Sequence, residues 1–227
     1  MRKAIFWDFD GTLTFGEPTW RFCLVTALGP LAKKYGINEE KLGPFLKSGF
    51  PWHPDGDPTR TGQAFWEELF RRFAAAYQNL GVPAPEAQDA ARRVREVALD
   101  PDNYRVRPDA ASTLAVCAYK GWRNYILSNN YPELEQMLAA LHLRPYFSGV
   151  VVSSVVGAVK PDPAIFRLAE GEARFPSLIW MVGDNPAADI AGAKNAGWQT
   201  IHLAQPGATS CNADLSVTEL TQILKYL

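Results

Sequence analysis

The most constraining feature of this chain is the alternation of short apolar segments with amphipathic segments that begin with proline. The apolar segments are residues 3–7, 122–127, 149–152, 178–182 and 200–203. Because strands buried on both faces lack a polar alternation, these segments predict parallel strands. The amphipathic segments 108–120, 132–143, 163–172 and 186–196 predict helices, since proline suits the first helical turn. The alternation therefore predicts an α/β fold with a doubly wound, parallel, Rossmann-like sheet.

One long stretch interrupts this alternation. Between residues 14 and 104 the sequence contains no convincing strand, and helical patterns cover 19–35, 61–80 and 85–99. We therefore expect an α-helical cap domain at residues 15–104, inserted into a Rossmann-like core made of residues 1–14 and 105–227. The two connections, 14–18 and 101–108, are the expected hinges.

Composition excludes several classes of protein. The 227 residues include 23 Lys and Arg against 24 Asp and Glu, a net charge of −1, which is too even for a basic nucleic-acid-binding protein. Cys23, Cys117 and Cys211 are too far apart for a zinc site and fit a reducing compartment. No apolar run is long enough for a signal peptide or a membrane span. We expect a cytoplasmic monomer or weak homodimer without nucleic-acid or membrane partners.

Residues with carboxylate, hydroxyl, amide or amine side chains follow four of the predicted strands. They are Asp8, Asp10, Ser128, Asn129, Lys160, Asp184 and Asp189. In open α/β sheets the carboxyl ends of the strands meet at one edge, where ligands bind. Crowded carboxylates resist ionisation unless a cation neutralises them, and oxygen ligands suit Mg²⁺ better than zinc. A hydroxyl, an amide and a lysine beside that cation would cradle a phosphoryl group. This edge is thus expected to bind Mg²⁺ and phosphate, with Asp8 able to act as a nucleophile.

Each of these residues also has a plainer explanation. Asp8 and Asp10 could form a turn or a helix cap, and Ser128 or Asn130 could cap the helix that follows. Lys160 alone resembles a surface lysine, and Asp189 would suit the first turn of a helix. The arrival of all these groups at four strand ends favours the functional interpretation.

The same residues, taken in order, carry a family resemblance. The motifs are Asp8-Phe9-Asp10-Gly11-Thr12-Leu13, Ser128-Asn129, Lys160-Pro161 and Gly183-Asp184-Asn185 followed by Asp189. With the helices inserted after the first motif, the chain resembles the haloacid dehalogenase-like hydrolase superfamily, in particular phosphatase members with a small helical cap.

The resemblance implies a role for each carboxylate and for the lysine. Asp8 corresponds to the nucleophile and a Mg²⁺ ligand, and Asp10 to the general acid and then base, with its backbone carbonyl on the metal. Lys160 corresponds to the residue that balances charge on the nucleophile and the phosphoryl group. Asp184 corresponds to a carboxylate ligand of Mg²⁺, and Asp189 to a partner of the metal through water or a neighbouring ligand.

Phosphate and substrate contacts are also implied. Ser128 and Asn129 resemble phosphate-binding residues. Trp52, His53 and Arg60 lie in the irregular, aromatic-rich segment 43–60, where they either meet substrate or form a solvated loop with one packed aromatic ring.

The expected function is hydrolysis of a small phosphorylated metabolite, with Mg²⁺ as cofactor and an aspartyl-phosphate intermediate. An aspartate at position 10 favours phosphate chemistry, because relatives that displace halide need neither this acid nor a metal. A phosphomutase of the β-phosphoglucomutase kind shares every motif and stays open as an alternative. A catalytically idle phosphate-binding relative is the alternative from another class. Phosphonate hydrolysis is less favoured, because no cap lysine is clearly placed for an imine.

Overall fold

A six-stranded parallel sheet forms the centre of the computed structural model, which describes residues 2–16, 18–204 and 211–227. The strands are β1 (Lys3–Trp7), β2 (Arg123–Ser128), β3 (Phe147–Val152), β4 (Leu178–Gly183), β5 (Gln199–Leu203) and β6 (Leu215–Val217). Their order in the sheet is β3-β2-β1-β4-β5-β6, and every neighbouring pair is parallel. The predicted parallel α/β sheet is confirmed, and β6 is an addition that the sequence pattern did not indicate.

Both faces of the sheet are buried. Ile5 and Trp7 of β1 belong to one apolar cluster, whereas Ala4 and Phe6 belong to a second. Helices α6 (Ala110–Tyr119) and α7 (Leu134–Ala140) contribute to the first cluster, and α9 (Pro163–Glu172) and α10 (Gly192–Asn195) to the second. Because side chains alternate across a strand, β1 supplies both cores at once. This is the doubly wound arrangement that the continuous apolar runs predicted.

A helical segment separates β1 from α6. It contains α1 (Trp20–Leu28), α2 (Pro30–Lys34), α3 (Glu39–Leu42), α4 (Gln63–Asn79) and α5 (Ala84–Ala98). Helix α5 packs against both α1 and α4, and the hydroxyl of Tyr77 on α4 donates a hydrogen bond of 2.8 Å to the backbone oxygen of Leu24 on α1. Phe65, Trp66 and Phe73 are at most 2% exposed, so these aromatic residues form a packed core.

Two predicted helices differ from the structure. A single helix over residues 19–35 is wrong, because Gly29 has a φ of 56° and ends α1 one residue before α2 begins. The predicted helix over 186–196 starts as one π-helical turn, Pro186–Ala191, before α10. The Asn185 side chain caps that turn by accepting hydrogen bonds from two successive backbone N–H groups.

The two connections between the sheet and the helical segment run side by side. Thr14 and Val106 form an antiparallel bridge, and the Phe15 N–H donates to the Arg105 carbonyl at 2.9 Å. The Arg107 N–H donates to the carbonyl of Leu13, also at 2.9 Å. The helical segment therefore leaves and rejoins the core close to the end of β1.

Short helical elements make up the rest of the described secondary structure, among them 3₁₀-helices at Gly43–Leu46, Pro101–Asn103 and Arg144–Tyr146. Helix α8 (Ser153–Val156) follows β3 directly, and a 3₁₀-helix covers Leu220–Lys225. None of the helices in the described residues is long and apolar enough to cross a membrane.

Candidate active site

A buried lysine links two carboxylates at the carboxyl edge of the sheet. Lys160 is 2% exposed, and its Nζ lies 2.8 Å from Oδ1 of Asp8 and 2.5 Å from Oδ1 of Asp189. Asp8 follows β1, and Asp189 lies on the π-helical turn after β4. Burial alone would lower the pKa of Lys160, but the two carboxylates outweigh it and raise that pKa above its ordinary value. The ammonium is therefore a fixed positive charge at neutral pH.

The backbone of Lys160 is held by an amide side chain. Oδ1 of Asn129 accepts a hydrogen bond from the Lys160 N–H at 2.8 Å, and Nδ2 of Asn129 donates to the Lys160 carbonyl at 2.9 Å. The Asn129 side chain thus fixes the loop that carries the lysine, a positioning contact that the sequence did not indicate. Ser128, the last residue of β2, is buried at the same edge. Phosphate binding by these two residues stays a prediction.

Three carboxylates crowd together at this edge. Asp8, Asp184 and Asp189 each offer an oxygen, and these oxygens all lie within 4.8 Å of one another. Burial, followed by the negative charge of Asp8, raises the pKa of Asp184 to about 6. Thr12 donates a hydrogen bond of 3.3 Å to Oδ1 of Asp184, which partly offsets this. A cluster of hard oxygen donors whose ionisation is opposed by crowding fits a divalent cation such as Mg²⁺.

Asp189 is the member of this cluster least available to an ion. Its Oδ1 faces the Lys160 ammonium, and its Oδ2 accepts a hydrogen bond of 3.0 Å from the Asn185 N–H. Burial raises the pKa of Asp189 above its ordinary range, although the Lys160 ammonium opposes that rise. Since both oxygens are occupied, Asp189 is placed to hold Lys160 against Asp8. Asp8 and Asp184 remain the carboxylates open to a metal.

A glycine makes room for one of these carboxylates. Gly11 has a φ of 75°, and a Cβ at this position would lie 2.4 Å from Oδ2 of Asp184. Any side chain here would both strain the backbone and displace the carboxylate.

Asp10 is held by the side-chain amide of Asn130, a residue whose type and position also suggest a helix cap. Nδ2 of Asn130 donates a hydrogen bond of 2.9 Å to Oδ2 of Asp10. The Asn130 backbone is itself anchored, because its N–H donates to Oγ of Ser153 at 3.1 Å and its carbonyl accepts from Oγ of Ser154 at 2.5 Å. Asn130 as a helix cap is wrong, since α7 begins four residues later with Glu133 as its cap.

The residues proposed for substrate specificity separate in the structure. A cavity of about 60 Å³ lies beside Asp10, and Trp52 is part of its wall. His53 is not part of that wall, and its Nδ1 accepts a hydrogen bond of 3.4 Å from the Phe50 N–H. Arg60 is also absent from it and forms an exposed ion pair of 3.2 Å with Asp57. Of the three, only Trp52 is brought next to Asp10.

A larger groove lies elsewhere. It has a volume of about 980 Å³ and runs along α4 and α5 towards α7, with none of the predicted site residues in its wall. Glu133 in that wall joins the helical segment to the core, since it accepts from Nε1 of Trp66 at 3.0 Å and pairs with Arg95. We place the chemistry at the carboxylate cluster because the groove offers mixed surface charges and no comparable convergence of buried groups.

Comparison with known proteins agrees with this geometry. The family model for haloacid dehalogenase-like hydrolase matches residues 2–197. The phosphoserine phosphatase of Thermus thermophilus is 34% identical over 185 residues, which are 76% of this chain and 71% of that protein.

Solved structures show the same fold. A HAD phosphatase from Thermococcus onnurineus has a TM-score of 0.71 and 24% identity, over 99% of this chain and 97% of that one. A 2-haloacid dehalogenase from Pseudomonas syringae has a TM-score of 0.68 and 26% identity, with the same coverage of both chains. These structures share the fold, and the family match together with the Thermus relative shows that the chain belongs to the haloacid dehalogenase-like hydrolase family, as an enzyme of the phosphatase kind.

Proposed function

We propose that the chain is a Mg²⁺-dependent phosphomonoester hydrolase that acts on a small phosphorylated metabolite through an aspartyl-phosphate at Asp8. The observation that carries this proposal is the buried Lys160 ammonium, 2.8 Å from the Asp8 carboxylate, with Asp184 beside it. In this proposal residues 1–14 and 105–227 form the catalytic core, and residues 15–104 form a cap that closes over it. Closure excludes water during phosphoryl transfer.

The carboxylates of Asp8 and Asp184, with the backbone carbonyl of Asp10, would hold the Mg²⁺ ion. When bound, Mg²⁺ supplies positive charge that neutralises the phosphoryl oxygens. Lys160 supplies further positive charge on the side of the nucleophile, and the Ser128 hydroxyl contacts the phosphoryl group. Stabilisation of this kind is a large part of phosphoryl-transfer catalysis.

The reaction proceeds in two steps. A carboxylate oxygen of Asp8 attacks phosphorus, the bond from phosphorus to the leaving oxygen breaks, and the Asp10 carboxylic acid gives its proton to that oxygen. The Asp10 carboxylate then takes a proton from water, which attacks phosphorus and releases inorganic phosphate and free Asp8. The hydrogen bond from Asn130 supports this by fixing Oδ2 of Asp10.

A proton donor at Asp10 also favours hydrolysis of a phosphate ester over displacement of a halide. A departing alkoxide needs a proton, whereas a departing halide does not. The likeness in fold to a dehalogenase therefore does not favour dehalogenation.

Phosphate release from a panel of phosphomonoesters tests the proposal. We expect activity with Mg²⁺, loss of activity in EDTA and recovery when Mg²⁺ is restored. Asp8→Asn should reduce kcat by about 10³-fold or more, because it removes the nucleophile. Asp89→Asn, an exposed aspartate on α5, is the matched control and should retain activity. Wild-type rates in Asp8→Asn would reject the mechanism.

A further inference from the structure

The cavity beside Asp10 lies where the leaving group of the proposed reaction must sit. Trp20, Cys23 and Trp52 of the helical segment form one side of its wall, and Tyr131 closes the side towards the core. Its volume is about 60 Å³. A space of this size admits a leaving group of only a few non-hydrogen atoms.

The described part of this cavity's wall offers no positive charge. Among the described residues that line it, none is lysine, arginine or histidine, and Asp10 is the one acidic residue. Burial also raises the pKa of Cys23 to about 12, so its thiol stays neutral at physiological pH. A carboxylate or a second phosphate on the leaving group would therefore be buried without a partner, which is costly.

The tyrosine pair in the wall has a defined hydrogen-bonding polarity. The Tyr104 hydroxyl donates to the Ala98 carbonyl at 3.0 Å, and the Tyr104 and Tyr131 hydroxyl oxygens are 3.0 Å apart. Because a hydroxyl has one proton, Tyr131 must be the donor in the contact between the two rings. Both protons are then used, and the Tyr131 oxygen is left as an acceptor for a hydroxyl of the ligand.

We propose that this cavity selects phosphate monoesters of short, uncharged alcohols that carry a further hydroxyl group. The proposal rests on the proposed function, because Asp10 must face the leaving oxygen. The two tryptophans limit the size of the leaving group, and Tyr131 recognises its hydroxyl group. A charged leaving group is disfavoured because the described residues of the wall include no cation. Glycerol phosphate has these properties, whereas phosphoserine and phosphoglycerate carry a carboxylate at similar size.

Steady-state hydrolysis by the full chain with Mg²⁺ tests the charge selection. Glycerol phosphate and phosphoglycerate differ by one carboxylate, and we expect kcat/KM for glycerol phosphate to be about 100-fold higher or more, since the site leaves that charge unpaired. Nitrophenyl phosphate, whose ring exceeds the cavity, should also be slower. Equal or better hydrolysis of phosphoglycerate would overturn the inference while leaving the proposed function in place. Absence of hydrolysis across the panel would overturn both.

Two substitutions test the residues themselves. Trp52→Arg places a cation in the wall and should raise kcat/KM for phosphoglycerate relative to glycerol phosphate by about tenfold or more. Phe45→Arg, an exposed aromatic residue of the helical segment outside the cavity wall, is the matched control and should leave the ratio unchanged. An unchanged ratio in a folded Trp52→Arg would contradict the inference.

Tyr131→Phe tests recognition of the hydroxyl without changing the shape of the wall. We expect the preference for glycerol phosphate over propyl phosphate to fall about tenfold, through KM for glycerol phosphate, because one hydrogen bond is lost. A preference that survives the substitution would remove Tyr131 from the proposal.

Discussion

Replacing Asp184 by asparagine is expected to stabilise the metal-free protein while abolishing its activity. In the folded protein burial and the Asp8 charge raise the pKa of Asp184 to about 6, whereas an aspartate in an unfolded chain titrates near ~3.9. The folded state therefore binds the proton more tightly, and this group destabilises the fold increasingly as pH rises from about 4 to above 6. Asparagine has no charge to lose, so the variant avoids this penalty.

The magnitude follows from the size of the pKa change. A pKa difference of about two units corresponds to about 3 kcal/mol, and partial exposure of Asp184 to water reduces this to about 1–2 kcal/mol. In EDTA at about pH 8, Asp184→Asn should exceed the wild type by this amount in its free energy of unfolding, with the difference shrinking towards zero near pH 4. The Thr12 hydroxyl can still donate to the asparagine oxygen.

Urea denaturation at several pH values, with and without Mg²⁺, measures this effect. Asp89→Asn, on the exposed face of α5, should stay within about 0.5 kcal/mol of the wild type. Saturating Mg²⁺ should stabilise the wild type by about 2.7 kcal/mol at 100 times its Kd, and the variant much less. A variant that is less stable than the wild type in EDTA at high pH, or a difference independent of pH, would refute the reasoning.

Three further substitutions have defined expected outcomes. Lys160→Met should lower kcat by about 10³-fold or more, measured by phosphate release, because it removes the buried cation of the site. Gly11→Ala should abolish the rise in Tm produced by Mg²⁺, because the new Cβ would lie 2.4 Å from the Asp184 carboxylate. Glu133→Gln should lower the free energy of unfolding in urea by about 1 kcal/mol, since it removes the charge that faces Arg95.

Each of these substitutions has a matched control. Lys194→Met removes a lysine that is paired at the surface, and it should leave kcat unchanged. Gly16→Ala adds a Cβ at a glycine of positive φ that has no atom within 4 Å of that position, and the response to Mg²⁺ should persist. Glu135→Gln breaks an exposed ion pair with Arg144 and should cost less than Glu133→Gln. Equal effects in variant and control would contradict the corresponding prediction.

The strands could be predicted because a strand that is buried on both faces has a continuous apolar sequence. β6 has no such sequence, because it is a three-residue edge strand with an exposed serine at its centre. The break at Gly29 could not be predicted either, since a glycine within an amphipathic pattern is compatible with a continuous helix until its backbone angle is known.

The meeting of the candidate site residues could be predicted because parallel topology brings the strand ends to one edge. Their individual contacts could not, as the two adjacent amides show: Asn129 holds the Lys160 backbone, whereas Asn130 holds Asp10. Residue type is the same in both cases, and the direction of each side chain depends on loop geometry. Which residue of the irregular segment reaches the cavity could not be predicted either, because such a segment has no periodic sequence pattern. The structure shows that it is Trp52.

The central position of β1 has a consequence for the order in which the chain can fold. β1 is synthesised before the other strands of the sheet, yet its two neighbours start at Arg123 and Leu178. Pairing across such sequence separations is slow, because a long loop must close before any contact forms. Helices α1, α4 and α5, which pack on one another, can bury their apolar faces earlier. We therefore expect Asp8 and Lys160 to meet late in folding, after the helical segment that separates them in sequence has formed.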